Sequence, residues 1–333
     1  MDEILSFENK LLLAPMAGVT DYAFRHLCIK EGADYTVSEM ISAKALCFKD
    51  AKTAVLARLK REEHPIAIQI FGSAPEIMAR AAKMLATGEY AGCVSEILPV
   101  AIDINMGCPV HKIVSNGEGS ALMRDPVRAF EIMTAVKEAC PIPVTVKIRA
   151  GFDSAHICAP RYAELAEKAG LAAVCVHGRT REQMYRPPVD LEVIKDTVSA
   201  VSIPVIGNGE IMTVKDALYM KDYTGCSSLM LARGTLGNPF LFGQIKKALA
   251  GQDYTDPDYK TRLLTARAHF ELLLEDKGPR TGLLEARKHI AWYIKGMPGA
   301  PALRDRINRI EDVEELRAIL CDQLIALQIA KST

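Results

Sequence analysis

Cys108 stands in the turn Asn105-Met106-Gly107-Cys108-Pro109, directly after an apolar run and not within a helix or strand. A free thiol has a pKa of about 8.5 and keeps its proton at neutral pH, so a cavity-facing cysteine can act as an acid. As a thiolate it would instead be a nucleophile, and His111 is close enough in sequence to keep that role open. Lys147 lies inside the apolar text Val144-Thr145-Val146-Lys147-Ile148. A lone ammonium there is costly unless something anionic, such as a bound cofactor, sits against it. Gly207, Gly209, Arg233 and Gly234 follow two later apolar runs, where glycine lets backbone N–H groups approach a phosphate and arginine adds charge-assisted bonds. With Gln69 they favour a phosphate-bearing, planar, electron-rich cofactor. His177 precedes the basic loop Gly178-Arg179-Thr180-Arg181, which runs on to Tyr185 and Arg186. Guanidiniums beside an aromatic suit a phosphate backbone and a flipped base, and would equally suit a solvated loop.

Eight short apolar runs position these groups: 11–15, 35–38, 66–71, 101–105, 144–148, 173–176, 204–207 and 228–232. Helix-like text fills the intervals, for instance 76–85, 128–139, 161–169 and 214–221, which is the rhythm of repeated βα units. The expected fold class is therefore α/β, a (β/α)8 TIM barrel followed by a small C-terminal all-helical domain. An open doubly wound sheet would usually carry a Gly-x-Gly-x-x-Gly turn after its first strand, where this chain reads Ala14-Pro15-Met16-Ala17-Gly18. In a barrel the active site forms at the carboxyl ends of the strands, and nearly every reactive group above falls at such an end. Strand text stops beyond Pro239, Tyr254-Thr255-Asp256-Pro257 resembles a linker, and the remainder is helical. The expected domains are 1–245 for the barrel and 246–333 for the helical part.

Composition sets outer limits. The chain has 333 residues, 49% of them hydrophobic, enough for one large core and a smaller one. Nine cysteines without a Cys-x-x-Cys pair argue against a disulfide framework and a metal site. No apolar stretch nears the roughly twenty residues of a membrane span, and residues 1–10 do not read as a secretion leader, so a cytoplasmic monomer is expected. Formal net charge is zero, which argues against nucleic-acid binding unless the charge is unevenly placed. It is uneven: between 259 and 310, basic residues including Arg287 and Lys288 clearly outnumber acidic ones.

Several segments together resemble the tRNA-dihydrouridine synthase family, most closely its bacterial B-type branch: Leu13 to Asp21, Gln69 to Gly72, Asp103 to Pro109, Val146 to Arg149, His177 to Thr180, Gly207 to Gly209, and Ala286-Arg287-Lys288-His289 in the tail. The resemblance implies an FMN barrel with a helical tRNA-binding domain and NADPH as electron source. Pro15, Met16, Ala17, Gln69, Lys147 and His177 would hold the flavin, with Asn208, Gly209, Glu210, Ala232 and Arg233 at its phosphate. Family members often carry Asp where Glu210 stands and Gly where Ala232 stands, which leaves backbone contacts as the safer expectation. Hydride would reach carbon 6 of a flipped uracil while Cys108 protonates carbon 5. Asn105 would hydrogen-bond the uracil, and Arg179, Arg181 and Arg186 would hold neighbouring phosphates. Two alternatives share parts of this pattern: an FMN barrel acting on a free pyrimidine, like a dihydroorotate dehydrogenase, and a tRNA-binding or folding protein without reduction chemistry.

Overall fold

The computed structural model describes residues 6–90, 95–186 and 188–330. Cys93 and residues 1–5 lie outside the described residues. The chain divides into two compact units, one comprising Met1–Asp21 with Ala33–Ala232 and the other Tyr22–Gly32 with Arg233–Thr333.

The first unit is the expected barrel. Its strands are β1 (Leu11–Leu13), β2 (Tyr35–Val37), β3 (Ile41–Ser42), β4 (Ile66–Phe71), β5 (Ala101–Met106), β6 (Val144–Gly151), β7 (Ala173–Thr180), β8 (Val205–Asn208) and β9 (Ser228–Leu231). Every pairing is parallel, and β2 pairs with β4 as well as with β1, so eight strands close into a ring. The short β3 was not expected from the sequence. It continues along β4 after a local irregularity: the chain advances four residues from Val37 to Ile41 while β4 advances three from Ala67 to Ile70. That extra residue falls in Ser38-Glu39-Met40 and turns this text out of the ladder. The longest strands, β6 and β7, also run further than the apolar text suggested, carrying Arg149 and His177 to Thr180 as strand residues.

Period-two geometry explains how polar groups enter such a barrel. Leu12, Ala14, Tyr35, Val37, Ala67, Ala101, Ala173, Cys175, Ile206 and Met230 form one buried cluster in the barrel interior. Further along their strands, on the same face, come Gln69 two residues after Ala67, Asp103 and Asn105 two and four after Ala101, His177 two after Cys175 and Asn208 two after Ile206. The alternate face carries Ile66, Ile68 and Ile70 on β4, Ile102, Ile104 and Met106 on β5, and Val144, Val146 and Ile148 on β6, all buried. Strands buried on both faces read as continuous apolar runs, which is the text seen in the sequence. Helices between them stop and start on conventional signals. Asp125 and Asp190 cap Pro126–Ala139 and Leu191–Ala200, while Gly88 and Gly225 end Pro75–Thr87 and Val214–Thr224 in the left-handed conformation.

The second unit is helical: Tyr22–Lys30, Leu241–Leu249, Tyr259–Tyr293, Ala300–Arg309 and Val313–Ala330. The segment Tyr259–Tyr293 breaks at Gly278, which has φ 75° and ψ 171° before Pro279, so it is two helices folded against each other. Leu263, Ala266, Phe270 and Leu273 on one half, and Leu283, Ala286, Ile290 and Tyr293 on the other, fall at helical spacing and share one buried core. Gly282 lets the halves approach closely, since a Cβ there would lie 2.7 Å from the Leu273 carbonyl oxygen. We expect Gly282→Ala to destabilise this unit by about 1–3 kcal/mol. Urea unfolding followed through Trp292, the chain's single tryptophan, measures it, and an unchanged midpoint would count against the close approach.

Candidate active site

Across β4, β5 and β6 the polar interior residues are joined into one hydrogen-bonded chain that leads toward the carboxyl end of β5. Thr145 Oγ1 donates to Asp103 Oδ1 at 2.5 Å, and Gln69 Nε2 donates to Asp103 Oδ2 at 2.7 Å. Asn105 Nδ2 donates to Gln69 Oε1 at 2.7 Å, and Asn105 Oδ1 accepts from the backbone N–H groups of Cys108 at 3.0 Å and Gly107 at 3.2 Å. Asp103 is 2% exposed, and burial pushes its carboxyl up, against Thr145, Gln69 and the charge of Lys147, which pull it down. Asp103 itself escaped the sequence reading, although it sits two residues before Asn105 and shares its face.

Cys108 is half-buried in the turn that this chain fixes. Its carbonyl accepts from Ser120 N at 3.1 Å, and a Cβ at Gly119 would fall 3.2 Å from the Cys108 Cβ, so the 119–120 backbone packs directly beneath it. Burial pushes the Cys108 thiol up, with the Val110 backbone and the Arg149 charge acting in the opposite sense. The thiol therefore keeps its proton at neutral pH, which favours the acid role over the nucleophile role left open by sequence. His111, the candidate activating cation, is solvent-exposed at the start of the short helix His111–Val114.

Lys147 Nζ donates to Asn208 Oδ1 at 2.9 Å, and Asn208 Nδ2 donates in turn to the Met230 carbonyl at 2.7 Å. Burial lowers the Lys147 pKa, and Asn208 satisfies one of its three N–H bonds. The remaining donors suit an electron-rich group. Gly209 has φ 126°, and a Cβ there would come within 3.0 Å of His177 Cδ2, so only glycine lets the chain pass against that imidazole. The loop after β1 is also built to a purpose: the Met16 carbonyl accepts from Val19 N and Thr20 N, and Gly18 N–H donates to the Glu39 carboxylate. Pro15 and Met16 are half-buried and Ala17 is exposed.

The basic loop after β7 is less open than its sequence suggested. Arg179 is 1% exposed; its Nε donates to the Arg186 carbonyl at 2.8 Å, its Nη1 lies 3.3 Å from His177 Nε2, and it pairs with the Glu210 carboxylate. Glu210 also accepts from Val189 N at 2.7 Å, so its carboxylate is engaged within the loops and leaves only its backbone to face a phosphate. Arg181 is half-buried, 5.4 Å from the Phe152 ring centroid, and Arg186 is exposed. Arg233 is exposed at the start of the turn Arg233–Thr235, after the half-buried Ala232. Arg287 and Lys288 are half-buried in the helical unit, where Arg287 donates to the Ile310 carbonyl at the end of Ala300–Arg309.

Arg149 binds several of these parts together. It lies two residues after Lys147 and is 3% exposed; Nε donates to the Gly107 carbonyl at 2.8 Å, and Nη1 to the Thr180 and Met184 carbonyls at 2.9 and 2.8 Å. Burial brings its pKa down to about 10, so it stays charged at neutral pH. One guanidinium thus holds both the Cys108 turn and the basic loop. In Arg149→Met the three carbonyls lose their donor, and we expect trypsin to cut the loop after Arg181 about tenfold faster or more in protein that keeps its circular dichroism spectrum. Unchanged cleavage would show that the loop is held by other means.

The dihydrouridine synthase family model matches residues 12–330. A probable tRNA-dihydrouridine synthase 1 of Synechocystis is 38% identical over 97% of this chain and 88% of its own length. The tRNA-dihydrouridine synthases B of Pasteurella multocida and Pseudomonas aeruginosa are 36% and 37% identical, over 96% and 92% of this chain and 92% and 90% of theirs. Among solved structures, the histamine dehydrogenase of a Rhizobium species is similar in fold, with TM-score 0.54 at 13% identity; the match covers 79% of this chain and about half, 49%, of that one. The family model spans nearly the whole chain, as do these relatives, and the chain belongs to the dihydrouridine synthase family.

Proposed function

We propose that the barrel mouth holds FMN, that NADPH is the electron source, and that Cys108 supplies the proton as a uridine of tRNA becomes dihydrouridine. The reaction class itself follows from the family: the protein is a flavin-dependent oxidoreductase that makes dihydrouridine in tRNA. The reading on free pyrimidines and the reading without reduction chemistry both give way to it. The observation that carries the assignment of Cys108 is its half-buried place in a turn whose backbone N–H bonds Asn105, itself bonded to Gln69.

The residues present fit a flavin. Lys147 has donors to spare, Gly209 lets the backbone pass against the His177 imidazole, and the 15–18 turn lies beside half-buried Pro15 and Met16. Under this proposal Pro15, Met16, Ala17, Gln69, Lys147 and His177 hold the ring system, and Asn208, Gly209, Glu210, Ala232 and Arg233 hold the phosphate, largely through backbone N–H groups. What the bound cofactor supplies is hydride for carbon 6 of the uracil. Asn105 orients the base through its amide, and Cys108 holds a proton for carbon 5. The turn serves this role by keeping the thiol half-buried and protonated. Arg181 and Arg186 take phosphates flanking the target, and Arg179 acts through the loop that it holds. Residues 246–333, with Arg287 and Lys288, bind tRNA in their own right under this proposal. Among the described residues no helix is long and apolar enough to cross a membrane. A cytoplasmic monomer completes the proposal.

Wild type and Cys108→Ala are compared for visible flavin absorbance and for dihydrouridine formed on tRNA lacking it. The variant is expected to stay yellow and to lose about 10²- to 10⁴-fold in rate; wild-type turnover in it would refute the proton-donor role. A raised thiol pKa has a second consequence. Alkylation of Cys108 by iodoacetamide, read by peptide mass spectrometry, is expected to rise about tenfold per pH unit and not to level off before about pH 9. A plateau near neutrality would mark a thiolate instead.

A further inference from the structure

The hydrogen-bonded chain behind Cys108 has a direction, and that direction is set at its buried end. A carboxylate only accepts, so Asp103 Oδ2 obliges Gln69 to present its NH₂ end, 2.7 Å away. Gln69 must then present its oxygen to Asn105, which accordingly donates to it at 2.7 Å. Asn105 is left with its oxygen toward the 107–108 backbone, where two N–H groups meet it. Both ends of the chain demand the same polarity. Among the described residues the second N–H of Asn105 meets a weak acceptor, the Met40 sulfur at 3.7 Å, and so remains a donor for a stronger one. Were the amide turned over, an oxygen would stand there and would repel a carbonyl.

We propose that Asp103 is a positioning residue for the reaction: through Gln69 it orients the Asn105 amide, so that Asn105 offers N–H to a pyrimidine carbonyl and oxygen to the Cys108 turn. The inference rests on the function proposed above. Asp103 is joined by hydrogen bonds to Thr145 and Gln69, and neither cofactor nor substrate is needed for its role. Its backbone neighbours in the sheet, Gln69 on β4 and Thr145 on β6, are the same two residues that bond its side chain, so the register of three strands brings the acceptor to the right height.

A polarity exchange tests it with near-isosteric side chains. In Gln69→Glu two acceptors face each other, and as the shared proton is lost with rising pH the chain is broken. In the double variant Asp103→Asn with Gln69→Glu the acceptor moves one step along. The new amide at position 103 donates to the new carboxylate at position 69, and that carboxylate also accepts from Asn105. Tyr35 on β2, Lys147 on β6 and Cys175 on β7, the other titratable groups near Asp103, are common to all variants. At about pH 8, Gln69→Glu is expected to lose between about tenfold and hundredfold in kcat on tRNA, with KM within about threefold, and its Cys108 to be alkylated about tenfold faster. Asp103→Asn alone is expected to fall between wild type and Gln69→Glu in both readouts, because its amide can turn oxygen to Gln69 but no longer obliges Gln69 to present its NH₂ end. The double variant recovers at least about tenfold over Gln69→Glu in both readouts. A double variant no better than Gln69→Glu, or a Gln69→Glu protein indistinguishable from wild type across pH 6–8, overturns the proposal. Should Gln69→Glu prove insoluble, a soluble double variant with wild-type alkylation supports it and an insoluble one overturns it. If the wild type itself makes no dihydrouridine, the function fails, while the alkylation pattern still decides the role of Asp103.

Discussion

Eight parallel strands closed into a ring leave no free edge, and half of their side chains must face a narrow interior. Everything at the active site answers to that constraint. The lower interior is filled by apolar residues such as Leu12, Ala67, Ala101 and Ile206, so the polar residues two positions further on cannot reach water sideways and must satisfy one another. Asp103, Gln69, Thr145 and Asn105 do so completely enough that the chain ends on backbone N–H groups of the Cys108 turn. Burial is costly for the Asp103 carboxyl and for the Lys147 ammonium, and the charge of each eases the burial of the other.

Arg149 solves a second problem, that of holding loops which have no regular structure of their own. A guanidinium offers five donors in a rigid plane, and the three carbonyls it meets belong to two separate stretches of chain. Lysine could not span them. Because one of those carbonyls precedes Cys108 and the others bracket the basic loop, the reacting thiol and the loop arginines share one anchor. The Arg179 and Glu210 pair adds a second, tying the end of β7 to the loop after β8. Charges that look like ligand-binding text in a linear sequence are thus spent inside the protein, and the side chains left toward solvent are Arg186 and, in part, Arg181.

The helical unit shows the same economy with different means. Its net basic text coexists with a well-defined core of Leu263, Phe270, Leu283, Ile290 and Tyr293, and Arg287 uses part of its donor capacity on the end of a neighbouring helix. A basic count over this segment therefore overstates the charge free for RNA.

The barrel was legible in the linear text because parallel strands buried on both faces must be written as apolar runs, and turns into helices must be written with glycine, proline and capping aspartate. Cys108, Lys147 and His177 stood out for the same local reason: each interrupts or closely follows apolar text. What the linear text could not convey is which side chains meet. Asp103 and Arg149 are ordinary charged letters, and only the register of β4, β5, β6 and β7 brings the first to Gln69 and Thr145 and the second to Gly107 and Thr180. The burial of Arg179, the engagement of Glu210 and the extra strand β3 likewise depend on residues far apart in sequence. Local pattern alone determined the elements and the groups at their ends. Hydrogen-bond partners, and with them the protonation and direction of the site, were decided by tertiary structure, because they are set by distances between strands and not by spacing along one.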